Sequence, residues 1–153
     1  MPRPGFKYLD DKLDPGYVLK PQGDHLPKLS AEKQRAEVAI RGGDPRGCLR
    51  ANAVFVFEDR SVAEALLGET PGEHLYEVAV EERDILHRGD LRIYDEIVDA
   101  LKHKAPVGAQ VKEFWAGVER PRARNELVVS KATIRRKLVD DAEKERAAEP
   151  QAS

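Results

Sequence analysis

The run Ala53-Val-Phe-Val-Phe57 constrains this chain more than any other feature. A continuous apolar stretch rich in β-branched and aromatic residues predicts a strand buried on both faces, so the fold must be built around a central strand. The 153 residues allow about one domain. Hydrophobic residues at 41% against 35% charged supply one modest core under a heavily solvated surface. Collagen-like, low-complexity and wholly disordered chains are excluded.

Shorter elements flank that strand. Phe6 and Tyr8 lead into Asp14-Pro15-Gly16, a turn signature, and predict a strand, a turn and a second strand over Tyr17 to Leu19. Pro21, Gly23 and Pro27 keep the next segment a loop. Ser30 caps a predicted helix with Ala36, Ala39 and Ile40 at helical spacing, which stops at Gly42-Gly43. Ser61 and Glu64 form a capping box for a helix through Leu67, ended by the segment Gly68 to Gly72. Residues His74 to Val80 alternate as a half-buried strand, and Gly89-Asp90 reads as a turn. Ile93, Ile97 and Leu101 predict a helix to about His103, and Val111, Phe114, Trp115 and Val118 predict another that Pro121 closes. Glu126 to Ile134 is β-rich and reads as a strand or a strand pair. The expected organisation is one α+β domain over residues 1–138, followed by a charged tail, 139–153, that is a frayed helix or a disordered end.

Charge and cysteine narrow the function classes. The 26 basic and 28 acidic residues leave a formal charge of -2, which argues against a general nucleic-acid or anionic-membrane binder. No apolar run approaches the roughly 18 to 20 residues that span a bilayer. The N-terminus carries no signal-like stretch, and a cytoplasmic protein without a membrane is the expectation. Cys48 is the only cysteine, so an intramolecular disulfide and a cysteine-rich zinc site are ruled out. His25, His74, His87 and His103 form no tight ligand pair, and no metal site is expected; they read as surface or local hydrogen-bonding residues. Cys48 lies near Arg46 and Arg50 without an identifiable histidine partner, and reads as a small semi-buried residue leading into the central strand rather than as a reactive thiol. No Gly-rich nucleotide loop or nucleophile elbow is present.

Two positions carry possible chemistry. Arg50, just ahead of the central strand, is placed either to clamp an anion or to be an ordinary surface arginine or the ion-pair partner of Glu37; Arg35, Arg41 and Arg46 read as solvated charges. Glu126 heads the last strand segment after Arg122, Arg124 and Asn125. A carboxylate fixed there can stabilise a positive transition state such as an oxocarbenium, or serve as a salt-bridged strand end. Phe114 and Trp115 are core residues or an aromatic wall for a planar ligand.

Four blocks, FKYLDDKLDPGYVLKP, AEVAIRGGDPRGCLRANAVFVFEDRSVAEAL, HLYEVAVEERDILHRGDL and FWAGVERPRARNELVVSKATI, resemble in this order the ADP-ribosyltransferase-like superfamily, in particular its small bacterial members. The resemblance implies a split pair of small antiparallel sheets with flanking helices, clasping NAD as co-substrate. It implies cleavage of the nicotinamide-ribose bond and transfer of ADP-ribose to water or to an acceptor, whether protein, nucleic acid or small molecule. Glu126 would be the catalytic carboxylate. Lys7 and Tyr8 stand where the family's first strand carries an arginine or histidine, Arg50 would hold the diphosphate, and Tyr8 or Trp115 would stack on a planar ring. The alternative is a catalytically degenerate nucleotide-binding or protein-interaction module of the same fold.

Overall fold

The structure, a computed structural model, describes residues 2–66 and 74–138. The expected helix end at 68–72 and the tail 139–153 lie outside the described residues. In chain order the elements are β1 (Arg3–Leu9), β2 (Val18–Leu19), α1 (Ala31–Gly42), β3 (Val54–Phe57), α2 (Arg60–Ala65), β4 (His74–Val80), β5 (Ile85–Asp90), α3 (Leu91–Lys102), α4 (Gly108–Trp115), β6 (Asn125–Val129) and β7 (Ala132–Leu138). A longer 3-10 segment, Pro45–Ala51, joins α1 to β3, and a short one, Leu26–Lys28, precedes α1.

The architecture is α+β, and all strand pairs are antiparallel in one seven-stranded sheet ordered β2-β7-β4-β1-β3-β6-β5. A single sheet replaces the two separate sheets expected, because β1 pairs on both sides. The two pairings are very unequal. With β4 it matches from Arg3↔Val80 to Leu9↔His74, whereas with β3 it matches only at Phe6↔Phe57. Beyond that pair the strands part, and the Lys7 ammonium donates to the Phe55 carbonyl oxygen at 2.9 Å where a ladder bond would otherwise run.

The sheet curls on this weak joint. Val54 and Val56 of β3 and Leu127 and Val129 of β6 share one buried cluster with Tyr76, Val78 and Val80 of β4 and with Ala132 and Ile134 of β7. The two halves of the sheet therefore bury their inner faces against each other, as aligned sheets do. Ser130 turns the chain from one half to the other, its N–H on the Asp84 carbonyl at 2.9 Å. On the outer face of the β3-β6-β5 half lie α1, α3 and α4, joined through Ile40, Ile93, Ile97, Val111 and Phe114. Helix α2 packs on the outer face of β1 and β4 through Phe6, Tyr8, Ala63 and Leu75.

Several boundaries follow the sequence and others depart from it. Ser30 caps α1 by accepting from the Lys33 N–H, as expected. Helix α2 starts two residues earlier than the capping box required, at Arg60 after Asp59, and has no side-chain cap; Glu64 takes an ion pair from Arg60 at 2.7 Å instead. The helix bearing Trp115 ends before Val118, which is 38% exposed, because Gly117 turns the chain at φ 75°. The expected Gly89-Asp90 turn is the end of β5, an edge strand whose ILHRGD sequence has little β signal. Glycine is required at 89 by close approach, since a Cβ would lie 2.7 Å from Phe114 and 2.8 Å from His87.

Asp90 fastens this region. Buried at 1% exposure, it caps α3 by accepting from the Arg92 N–H at 2.9 Å and also accepts from the N–H groups of Arg120 at 2.8 Å and Arg124 at 2.9 Å. One carboxylate thus ties β5, α3 and the loop that feeds β6. Replacing Asp90 by Ala leaves three part-buried donors unmet and should cost about 3 kcal/mol, read as a lower urea midpoint at unchanged slope.

Candidate functional site

The head of β6 places Glu126 between two strands, opposite Phe57 of β3 and Gly89 of β5. Alternation along β6 sends Leu127 and Val129 into the sheet core and Glu126 to the helix side. There it forms part of the wall of a cavity of about 490 Å³ between β3, β6, α1 and α3. Phe55, Phe57 and Tyr94 give this cavity aromatic surfaces, and His25, Glu37 and Arg50 give it polar ones.

A buried charge cluster supports Glu126. Glu37 of α1 is 0% exposed and Arg50 is 2% exposed. Arg50 Nε donates to Glu37 Oε1 at 3.1 Å and Nη2 to the same oxygen at 2.5 Å, while Nη1 reaches Glu126 Oε1 at 3.5 Å. The guanidinium also lies 5.0 Å from the Phe55 ring centre and 5.4 Å from that of Phe114. Arg41 adds a second cation, with Nε on Glu37 Oε2 at 3.0 Å and its fork on Asp24 at 2.8 and 2.9 Å. His25 Nε2 is 3.5 Å from Glu37, its ring meets Phe55 edge-on at 4.5 Å, and its Nδ1 is buried without a hydrogen-bond partner.

The two carboxylates are tuned in opposite directions. Burial pushes Glu37 up, but hydrogen bonds from His25 and Arg50 outweigh it and hold the carboxyl at about 2. Burial dominates at Glu126, whose carboxyl lies above the usual range although Arg50 pulls it down. Glu37 raises Glu126 further by like-charge repulsion, and the two share one arginine. Lys7 is displaced downward by burial, with the charge of Glu126 opposing. A carboxylate with only part of a cation is suited to a charge that arrives from outside.

The expected site residues do not all meet here. Glu126 and Arg50 line the cavity together. Arg50 is neither a surface residue nor a free anion clamp, because its fork is taken by Glu37. Tyr8 is buried at 5% exposure, with its hydroxyl on the Ala63 carbonyl at 2.8 Å, and lies on the α2 face. Trp115 is 4% exposed, donates to the Ile40 carbonyl at 2.7 Å and packs among helices. Neither aromatic side chain lines the cavity, since β1 alternation and the inward turn of α4 carry both into core. Lys7 faces a second cavity on the other side of Phe55. Arg41 and Arg46 are not plain solvated charges: Arg46 donates to Asp44 and to the Trp115 carbonyl at 2.9 Å. Cys48 is exposed rather than semi-buried.

His25, Tyr94, Phe55 and Arg124 belong to the site without having been singled out as chemistry. The available signal was at Glu37, which lies on the face of α1 that carries Ala36 and Ile40, an acidic residue where a helix should bury apolar ones. Nothing in the order of residues links His25 to position 126. His87 also departs from a surface reading: it is 7% exposed, bonded to the Phe114 carbonyl at 3.2 Å, and lowered to about 4 by burial and by the nearby arginines 46 and 50. No family model matches this chain, and no curated protein matches it. Among the described residues no helix is long and apolar enough to cross a membrane.

Acid should unfold the protein in two windows. His87, ordinarily near 6.5, is protonated more readily in the unfolded chain, so stability declines as pH falls from 6.5 toward about 4. Glu37, ordinarily near 4.5, binds its proton first when unfolded, so a further decline runs from 4.5 toward about 2. His87→Gln should flatten the upper window in urea titrations across pH. Glu37→Gln should flatten the lower one and cost about 3 to 5 kcal/mol at neutral pH by stranding Arg50. Glu126→Gln should have the opposite sign at neutral pH and raise the thermal midpoint, because burial disfavours the charge that it removes.

Proposed function

We propose that the Glu126 cavity binds NAD and that the protein is an ADP-ribosyltransferase or NAD glycohydrolase. The observation that carries this reading is a carboxylate fixed at a strand head, in the wall of an aromatic cavity of about 490 Å³, with an arginine at 3.5 Å. Small-molecule sites run from about 300 to 1,000 Å³, so a nucleotide-sized substrate is within reach. The architecture is read as ADP-ribosyltransferase-like on two supports: a sheet narrowed to one residue pair between β1 and β3, and an acidic residue at the head of the strand next to that joint.

The residues present fit such a substrate. Phe55, Phe57 and Tyr94 offer faces for a planar ring. Arg124 and Lys33 reach the same cavity and take part in no ion pair among the described residues, so they replace Arg50 as the cations for the diphosphate. His25 Nδ1, unsatisfied in the wall, is a polar group that a ligand hydroxyl can meet after a small ring rotation.

In the reaction the bond between nicotinamide and the ribose C1′ breaks, and its electron pair leaves with nicotinamide. Positive charge develops on the ribose ring beside Glu126. Arg50, itself locked on Glu37, holds the Glu126 carboxylate in place and favours its ionised form. The developing cation then supplies the opposite charge that Glu126 lacks in the free protein. Water or an acceptor nucleophile forms the new bond to C1′ and releases its proton to solvent, nicotinamide leaving as a neutral molecule.

A second reading, a binding module that does not turn NAD over, draws on one observation: burial raises Glu126 toward its neutral form, which cannot stabilise a cation. Chromatographic measurement of nicotinamide release separates the two. Glu126→Gln should lower release about 100- to 1,000-fold while the protein stays folded. Arg124→Ala should raise the KM for NAD about tenfold with kcat little changed. Equal nicotinamide release by Glu126→Gln and the wild type would remove Glu126 from this role.

A further inference from the structure

A second cavity, of about 360 Å³, opens where β1 and β3 part. It touches the first across a wall formed by His25 and Phe55, which line both. Leu9, Leu13 and Val54 make its floor, and Tyr17, 49% exposed, stands in its lining. Its cations are Lys7, Lys20 and Lys28.

Those lysines have unused capacity. An ammonium offers three donors, and the Lys7 group, set between the parted strands, spends one on the Phe55 carbonyl. None of the three lysines forms an ion pair among the described residues. Of the two acidic residues in the lining, Asp24 is already held by the Arg41 fork. Compact ammonium charges converging from several sides match the oxygens of a phosphate, for which no planar fork is needed.

We propose that this second cavity is the acceptor subsite and takes a molecule bearing a phosphate beside a planar ring, with Lys7 at the base, Lys20 and Lys28 as further cations and Tyr17 as the stacking surface. The assignment rests on the NAD reading of the first cavity. The first cavity has its own cations in Arg124 and Lys33, which leaves the lysines beyond the His25–Phe55 wall for a different molecule. An acceptor held there would approach the ribose from the side of the sheet gap, while Glu126 and Arg50 act from the helix side. The chemistry of the ligand is that of a nucleotide or a similar aromatic phosphate ester.

Calorimetric titration of the full chain with phenyl phosphate, with and without saturating NAD, tests the assignment. Phenyl phosphate should bind equally well in both conditions, phenol should not bind, and the double variant Lys20→Glu, Lys28→Glu should weaken binding about tenfold or more. Both lysines are exposed, so this variant keeps the core intact. Displacement of phenyl phosphate by NAD, undiminished binding by the double variant, or no binding by the wild type would each overturn the subsite. If phenyl phosphate binds as expected but NAD neither binds nor releases nicotinamide, the NAD reading fails and the lysine cavity stands as an anion site alone.

Discussion

The buried pair of Glu37 and Arg50 is the interaction on which the rest of this structure depends. One partner comes from α1 and the other from the 3-10 segment that delivers the chain to β3. Neither could be taken from water alone, since an unpaired ion in such a place costs several kcal/mol. Satisfying the pair requires α1 to lie across the outer face of β3 and β6 at a fixed height. That requirement brings Tyr94 of α3 and Glu126 of β6 to the same cavity. A well-packed apolar pair would often hold the helix as firmly. What an apolar pair could not do is leave one guanidinium nitrogen directed at Glu126.

The sheet contributes the second constraint. A strand that pairs along its whole length on one side and at one residue on the other makes a seam, and β1 is that strand. Lys7 bridges the seam through a side chain in place of a backbone ladder. The two cavities lie on either side of β3 for this reason, one under the helices and one at the seam, with Phe55 and His25 between them. Inner and outer faces alternate along β3, so the same short strand closes the core with Val54 and Val56 and walls the cavity with Phe55 and Phe57.

Function and stability pull against each other at the strand head. Glu37 gains from its surroundings and Glu126 loses, although both face the same arginine. Asp90 and the β5 pairing hold position 126 where it is, so the scaffold keeps a half-buried, half-paired carboxylate in place. Such tension is common where a site is arranged for a charge that exists only during reaction.

Much of the element order was legible in the residues. The Ala53–Phe57 run, the Ser30 cap, the Ile93–Ile97 spacing and the β-rich stretch from Glu126 are local signals, and each element formed for the local reason. Strand β5 was not legible, because an edge strand ending in His-Arg-Gly-Asp draws its conformation from its partner β6. Trp115 lies in the core, as its helical spacing implied, but Tyr8 could be recognised as aromatic and not as core, since burial is set by which face another element covers. By itself the sequence determined an α+β chain with a carboxylate at the head of a late strand and an arginine ahead of the central one. Only the tertiary structure decided that Arg50 is spent on Glu37, that His25 joins the site and that Lys7 faces a separate cavity. Charge pairing across 13 and 76 residues of chain depends on how strands and helices stack, and local periodicity carries no record of that.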